Sequence, residues 1–101
     1  MIEKLTKKLI YKEDENSVLV IEKLDSDKVF VKVIINVVPK DILDKTIEES
    51  EIKKKYSIQI ISIGRKNQSL FPVKAKDTIQ AGDILFVVGN LTNINSFAKN
   101  I

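Results

Sequence analysis

The sequence predicts a small α+β domain in which short helices accompany a mixed or antiparallel β-sheet. Two stretches, 29–38 and 84–88, concentrate β-branched and apolar residues as strands do. The 91–101 stretch instead repeats apolar residues every three or four positions, which is typical of a helix. The 101 residues are enough for one domain. Because a core of this size is only marginally stable, association with a second copy is a natural supplement.

The first half of the chain centres on the strand predicted at 29–38. Its side chains alternate between two faces in KVFVKVIINVV, and Pro39 ends it because proline has no N–H to pair. Upstream, the stretch SVLVIEKLDSD is either a partner strand that turns at 24–27 or a helical turn capped by Asn16 or Ser17. We favour the hairpin.

Residues 1–12 space their apolar side chains as a short amphipathic helix does. We therefore interpret residues 1–28 as an N-terminal connector, which holds this short helix and the possible strand. Residues 29–101 form the main domain in this interpretation.

Two short helical segments are predicted after Pro39. The apolar residues Leu43, Ile47, Ile52 and Tyr56 step by four, five and four positions. A single straight helix does not keep a five-residue step in phase with its neighbours. The spacing therefore favours separate segments at 43–50 and 51–56.

The second half of the chain predicts three strands and a closing helix. SIQIISI gives a strand at 58–63, SLFPV a shorter one at 70–73, and ILFVV the strand at 84–88. Pro72 places the 70–73 strand at an edge or a bulge, because it cannot donate to a ladder. The helix at 91–100 has Asn90 and Thr92 as candidate N-caps.

The stretch IQAGDILFVVG uses two of the three glycines of the chain around one strand. Gly82 can adopt a positive φ without steric cost, and the Asp83 carboxylate can accept a hydrogen bond from a nearby N–H to hold the turn. Gly89 is expected to end the strand just before the closing helix begins. These three residues are interpreted as structural, so the functional site is sought elsewhere.

Residues that the chain lacks argue against several function classes. There is no cysteine, hence no disulfide or thiolate chemistry, and no histidine, the commonest general base and metal ligand. We therefore predict no catalytic residue, no metal site and no cofactor. The apolar runs are too short to cross a bilayer, and no signal peptide is apparent. A cytoplasmic location without direct membrane insertion is expected.

Positive charge is concentrated in one segment, the basic island, defined as residues 53–76. It holds seven basic residues and no acid, whereas residues 1–52 carry a net charge of −3 and residues 77–101 a net charge of −1. The island is either a solvated surface or a site for an anion such as a phosphate. Nucleic acid is the less favoured partner, because the six aromatic residues mostly occupy apolar periodic positions and few are left to stack on bases.

The order of these features resembles a known family. The stretch IQAGDILFVVG, preceded at the right distance by LDKTIEESEIKKKYSIQIISI, is similar to the C-terminal domain of regulators of potassium conductance (RCK_C), also called the TrkA C-terminal domain. The resemblance covers residues 30–101. This chain differs at Asp44, where the family commonly has glycine, and at Lys53, where it commonly has arginine. Lysine cannot make the bidentate contact of a guanidinium.

The resemblance implies a dimeric, RCK_C-like ligand-sensing domain at 29–101 rather than an enzyme. It implies cyclic di-AMP as the ligand, held at a homodimer interface, and a role in controlling potassium, cation or osmolyte transport. A membrane transporter or a regulator subunit is the partner that the family suggests. Two alternatives stay open: a ligand-free dimerisation or interaction module, and a small nucleic-acid-binding protein.

The resemblance also implies a set of ligand-binding positions, in which isoleucines and the proline contact the adenines while Lys53 and nearby N–H groups meet the phosphates. The eight positions are Ile47, Glu51, Ile52, Lys53, Lys54, Tyr56, Gln59 and Pro72. Ile47, Ile52 and Tyr56 could instead belong to the helix core. The 43–56 segment is expected to form part of the dimer surface, and Lys74 and Lys76 are expected to contribute less to binding than Lys53.

Overall fold

Five strands form one antiparallel sheet in the computed structural model, which describes residues 15–25 and 27–101. The strand order across the sheet is β1-β2-β5-β3-β4. The strands are β1 (Ser17–Asp25), β2 (Lys28–Ile34), β3 (Gln59–Arg65), β4 (Gln68–Leu70) and β5 (Ile84–Gly89). A 3-10 turn spans Lys40–Ile42, and the α-helices are α1 (Ile47–Ser50), α2 (Ile52–Tyr56) and α3 (Leu91–Ala98). The predicted fold class, a small antiparallel sheet with short helices, is confirmed.

The N-terminal hairpin is confirmed, and the helical alternative for the same stretch is wrong. β1 pairs antiparallel with β2, and their register places Ser17 opposite Ile34 and Asp25 opposite Lys28. β1 is an edge strand, and most of its side chains are exposed. The amphipathic helix predicted at 1–12 lies outside the described residues.

The strand predicted at 29–38 is shorter than expected, because the backbone beyond Ile34 bonds elsewhere. The N–H of Ile35 donates to the Asp83 carbonyl over 2.9 Å. The side-chain Oδ1 of Asn16 then accepts from the N–H groups of Asn36 and Val37, each over 2.8 Å. The Asn16 side chain, 20 and 21 residues away in sequence, therefore replaces the strand ladder for these two N–H groups. Residue periodicity cannot reveal a contact of this kind.

The helix predicted at 43–50 begins only at Ile47, because the backbone turns sharply before it. Asp44 has a φ of 59°, a left-handed conformation that interrupts any continuous helix. Thr46 then starts α1 with a capping box, accepting from the Glu49 N–H over 3.1 Å while its own N–H donates to the Glu49 carboxylate over 2.9 Å. The predicted break between two helical segments is confirmed at Glu51, whose φ is 52°.

The strand predicted at 70–73 begins two residues earlier, at Gln68. β4 ends at Leu70, and Pro72 follows the strand instead of interrupting it. β4 is an edge strand paired with the end of β3, through Ile63 opposite Leu70 and Arg65 opposite Gln68. The prediction of an edge position is therefore correct, while the predicted range 70–73 is wrong.

The core lies between one face of the sheet and the helices. The register places Val31 opposite Val87 and Val33 opposite Leu85, and all four side chains are fully buried on that face. α3 covers it with Phe97 and Ile94, which are also fully buried. Asn90 caps α3 as predicted, because its Oδ1 accepts from the Thr92 and Asn93 N–H groups over 2.8 and 3.3 Å.

The turn before β5 has the conformation that the sequence predicts. Gly82 has a φ of 95°, and the Asp83 carboxylate accepts from the Gln80 N–H over 2.8 Å. Gly89 lies where β5 ends before α3, as expected, but the reason for a glycine there is different. It is the last residue of β5, and a Cβ there would lie 2.8 Å from Cγ2 of Ile58. Close packing, not a turn, requires glycine at this position.

Candidate functional site

Two adjoining hollows lie where α1 and α2 meet the sheet. The first, the α1–α2 groove, has a volume of about 200 Å³ and is lined by Ile47, Ile52, Lys53, Ile58, Gln59, Ile60, Val73, Lys74 and Ala75. The second, the strand-end hollow, has a volume of about 290 Å³ and is lined by Lys28, Lys53, Ser57, Ile58, Gln59, Val88 and Gly89. Lys53, Ile58 and Gln59 line both. The two hollows are therefore neighbours, and we treat them together as the candidate site.

Backbone hydrogen bonds fix the walls of the α1–α2 groove. The N–H of Ile47 donates to the Asp77 carbonyl over 2.8 Å, and that of Glu48 donates to the Ala75 carbonyl over 3.0 Å. An isolated bridge joins Thr46 to Thr78 one step further along. α1 is thus tied directly to the segment that supplies the opposite wall, so the width of the groove is set by the fold.

Four of the eight predicted ligand-binding residues come together at this site. Ile47 and Ile52 give the groove an apolar surface, while Lys53 and Gln59 stand at the junction with the strand-end hollow. Ile52 is almost fully buried, with 3% of its surface exposed, so it serves both the core and the groove wall.

The other four predicted residues do not line either hollow. Glu51 and Lys54 are exposed on the helical segment, and Pro72 is exposed next to Val73, which does line the groove. Tyr56 points towards α3.

Tyr56 connects α2 to the rest of the domain through one ring contact and two hydrogen bonds. Its ring packs edge-on against Phe97 at a centroid distance of 5.7 Å, and its hydroxyl donates to the Asp41 carboxylate and accepts from Asn100 over 3.0 Å. The hydrogen bond from Tyr56 lowers the pKa of Asp41, to which Lys55 also contributes from 4.0 Å. Burial is the main cause that raises the pKa of the Tyr56 hydroxyl. Tyr56 therefore holds the helix that carries Lys53.

The basic island divides according to what each cation faces. Lys55 faces Asp41, and Arg65 is fully engaged with the buried Asp83, to which it donates two hydrogen bonds of 2.9 Å. Lys53 and Lys74 line the α1–α2 groove, and no carboxylate of the described residues lines either hollow. The lining of the two hollows in the described structure therefore carries positive charge and no acid.

Sequence reasoning missed Lys28, Ser57 and Ile58 as lining residues. Lys28 precedes the predicted domain, and only the pairing register of the hairpin could have brought it to the site. Lys74 was expected to resemble Lys76, but it lines the α1–α2 groove, whereas Lys76 lines neither hollow.

An apolar groove bordered by unneutralised lysines suits a ligand that combines flat apolar groups with negative charge. Among residues 15–25 and 27–101, no group of histidine, cysteine and acidic side chains is placed to hold a metal ion. No helix in that part of the chain is both long and apolar enough to cross a membrane. The fold and the site together define a small antiparallel domain with an apolar groove that lysines border.

The chain belongs to the TrkA-C domain family, whose model matches residues 32–101. A curated relative, the Ktr system potassium uptake protein C of Bacillus subtilis (strain 168), is 27% identical over 97 residues, which make up 96% of this chain and 42% of that protein. This chain therefore spans less than half of the length of that relative.

A solved structure has the same fold. It is the Regulator of Conductance of K+ (RCK) C domain of the potassium transport protein KtrA, in complex with cyclic diadenosine monophosphate (c-di-AMP). The two structures compare with a TM-score of 0.54 and 22% sequence identity, and the comparison covers 100% of both chains. The predicted RCK_C-like fold is confirmed.

Proposed function

We propose that this chain is a regulatory module that binds cyclic di-AMP in the α1–α2 groove at a homodimer interface. The observation that carries the proposal is the groove itself, which combines isoleucine side chains with lysines that no lining carboxylate neutralises. Adenine rings offer flat apolar faces and the two phosphodiesters offer negative charge, so such a ligand matches both kinds of wall. The chain acts by binding, not by catalysis.

The output that we propose is control of potassium, cation or osmolyte transport in the cytoplasm. Its support is the family membership together with the names of the two relatives, which are proteins of potassium uptake and transport. A ligand shifts such an output only through its different affinities for two dimer geometries. The partner in this proposal is a transporter or regulator subunit that reads the geometry of the dimer.

A homodimer is expected in solution, with the 43–56 segment in its interface. Leu43 lies in this segment and is 52% exposed, which leaves an aliphatic side chain available to a second copy. Light scattering at micromolar concentration should give about twice the mass of one chain. Leu43→Glu should shift the equilibrium towards the monomer, because burying its charge is costly. Val20→Glu is the matched control, since Val20 is 48% exposed on the edge strand β1. A monomer from the unaltered chain would remove the shared site.

Cyclic di-AMP is expected to bind with one molecule per two chains, because a two-fold symmetric ligand uses one copy of each contact from each subunit. Calorimetry measures this ratio directly. At a free ligand concentration a hundred times the dissociation constant, the folded state should gain about 2.7 kcal/mol, which a thermal-shift assay detects. Stabilisation by oligonucleotides alone would favour the nucleic-acid alternative. No stabilisation by any nucleotide would favour the ligand-free dimerisation module.

A further inference from the structure

Three strand ends meet at the edge of the sheet that carries the strand-end hollow. The register places Val29 of β2 opposite Gly89 of β5, and Val88 of β5 opposite Gln59 of β3. Lys28, the first residue of β2, therefore lies at the same end of the sheet as Ser57, which precedes β3. This register explains why a lysine from the N-terminal hairpin borders the same hollow as Lys53 of α2.

Backbone lines part of the strand-end hollow, at Gly89. Gly89 presents no side chain there, and its packing against Ile58 leaves no room for one. The wall residue Gln59 supplies an amide and Ser57 a hydroxyl, both exposed. Polar groups and two lysines thus surround a depression that a charged group of a ligand can enter.

The two lysines of the hollow have no competing partner inside it. Asp25 lies directly opposite Lys28 in the hairpin, and Asp25 and Asp27 border a separate hollow together with Lys28, but neither acid lines the strand-end hollow. Within the described ranges, no carboxylate lies within ion-pairing distance of the Lys28 or Lys53 ammonium. Both cations are therefore available to an anion that occupies the hollow.

We infer that Lys28 is a second cationic contact for the ligand, and that the strand-end hollow holds a phosphate between Lys28 and Lys53. The inference rests on the proposed function, because it assigns a further residue to the same site. Lys53 borders both hollows, so a ligand whose apolar part fills the α1–α2 groove brings its phosphate to the junction where Lys28 is the next cation. The N-terminal hairpin is thus part of the binding site.

The test compares Lys28→Gln with Lys76→Gln in the full chain, using cyclic di-AMP and calorimetry. Both variants remove one positive charge, and Lys76 lines neither hollow. Lys28→Gln should weaken binding about three- to tenfold, with a shallower dependence of the dissociation constant on salt, because an ion contact is lost. Lys76→Gln should change binding by less than about twofold. Lys28→Arg should retain the affinity, and melting temperatures verify that each variant is folded.

The outcomes separate the inference from the proposed function. If the Lys28→Gln and Lys76→Gln chains bind equally well while Lys53→Ala is impaired, the site is real and Lys28 is not part of it. If the unaltered chain binds no cyclic di-AMP, the proposed function fails and the inference fails with it. A Lys28→Gln loss of about threefold or more, with a Lys76→Gln change below about twofold, supports the inference, and a smaller Lys28→Gln loss overturns it.

Discussion

Replacing Asp83 with alanine is expected to lower the free energy of unfolding by about 2 to 4 kcal/mol. Asp83 is 1% exposed and accepts three hydrogen bonds, two from the Arg65 guanidinium and one from the Gln80 N–H. The substitution leaves the Arg65 cation, only 26% exposed, without its carboxylate. It also leaves the Gln80 N–H without its acceptor. The expected loss is below that of a fully buried pair because water still reaches part of Arg65.

Urea unfolding followed by circular dichroism measures this loss, and the melting temperature should fall by roughly 8 °C or more. Glu22→Ala is the control, because it removes an exposed carboxylate from β1 and should change stability by less than about 0.5 kcal/mol. A loss at Asp83 no larger than that of the control would show that the ion pair does not hold the turn.

A double-mutant cycle isolates the pair itself. Arg65→Met keeps most of the stem of the side chain but removes the charge, which strands the Asp83 carboxylate in the core. The Arg65→Met/Asp83→Ala variant should lose less stability than the two single variants added together, because neither charge is left unpaired. Strict additivity would mean that the two residues act independently.

The fold was largely predictable because its strands and its last helix have clear periodicities. Alternation in β2 and the apolar spacing of α3 reflect a single buried face each, and the structure buries those faces. The Gly82 turn followed from its local sequence, since the residue that needs a positive φ is a glycine. Local signals of this kind act over a few residues and can therefore be read from the sequence.

The features that could not be predicted depend on contacts between distant residues. Asn16 ends β2 by offering its amide oxygen to the N–H groups of residues 36 and 37, and its Nδ2 donates to the Ala98 carbonyl over 2.8 Å. Asp44 adopts a left-handed backbone conformation that its residue type does not require. The break at Glu51 follows from the apolar spacing, but the left-handed conformation that makes the break does not.

The candidate site likewise combines residues that local sequence brings together with a residue that only a distant contact brings there. Ile47, Ile52, Lys53 and Gln59 lie close in sequence, so a family resemblance and a short helical pattern bring them together. Lys28 reaches the site through strand pairing, which no local pattern encodes. The seven basic residues of 53–76 indicate an anion site. One of them, Arg65, forms an ion pair with the buried Asp83. The number of cations in a segment therefore overstates the number available to a ligand.

Replacing Lys53 with alanine is expected to weaken cyclic di-AMP binding more than tenfold and to leave the fold intact. Lys53 is the only cation that borders both hollows in the described part of the chain, and its side chain is exposed, so its removal disturbs no core contact. A charge-assisted hydrogen bond to a phosphate contributes on the order of 1.5 to 3 kcal/mol, which corresponds to this loss. Alanine also favours the helix at least as well as lysine.

Calorimetry on three alanine variants decides whether the contact is specific. Lys54→Ala is the matched control, because Lys54 is the next residue on α2 and its side chain lines neither hollow, so its loss should stay below about threefold. Lys74→Ala should fall between the two, since Lys74 borders only the α1–α2 groove. Equal losses at Lys53 and Lys54 would indicate diffuse attraction by the basic island instead of a defined site. Full binding by the Lys53→Ala chain would mean that the phosphates lie elsewhere, because no other residue joins the groove to the hollow with a positive charge in the described structure.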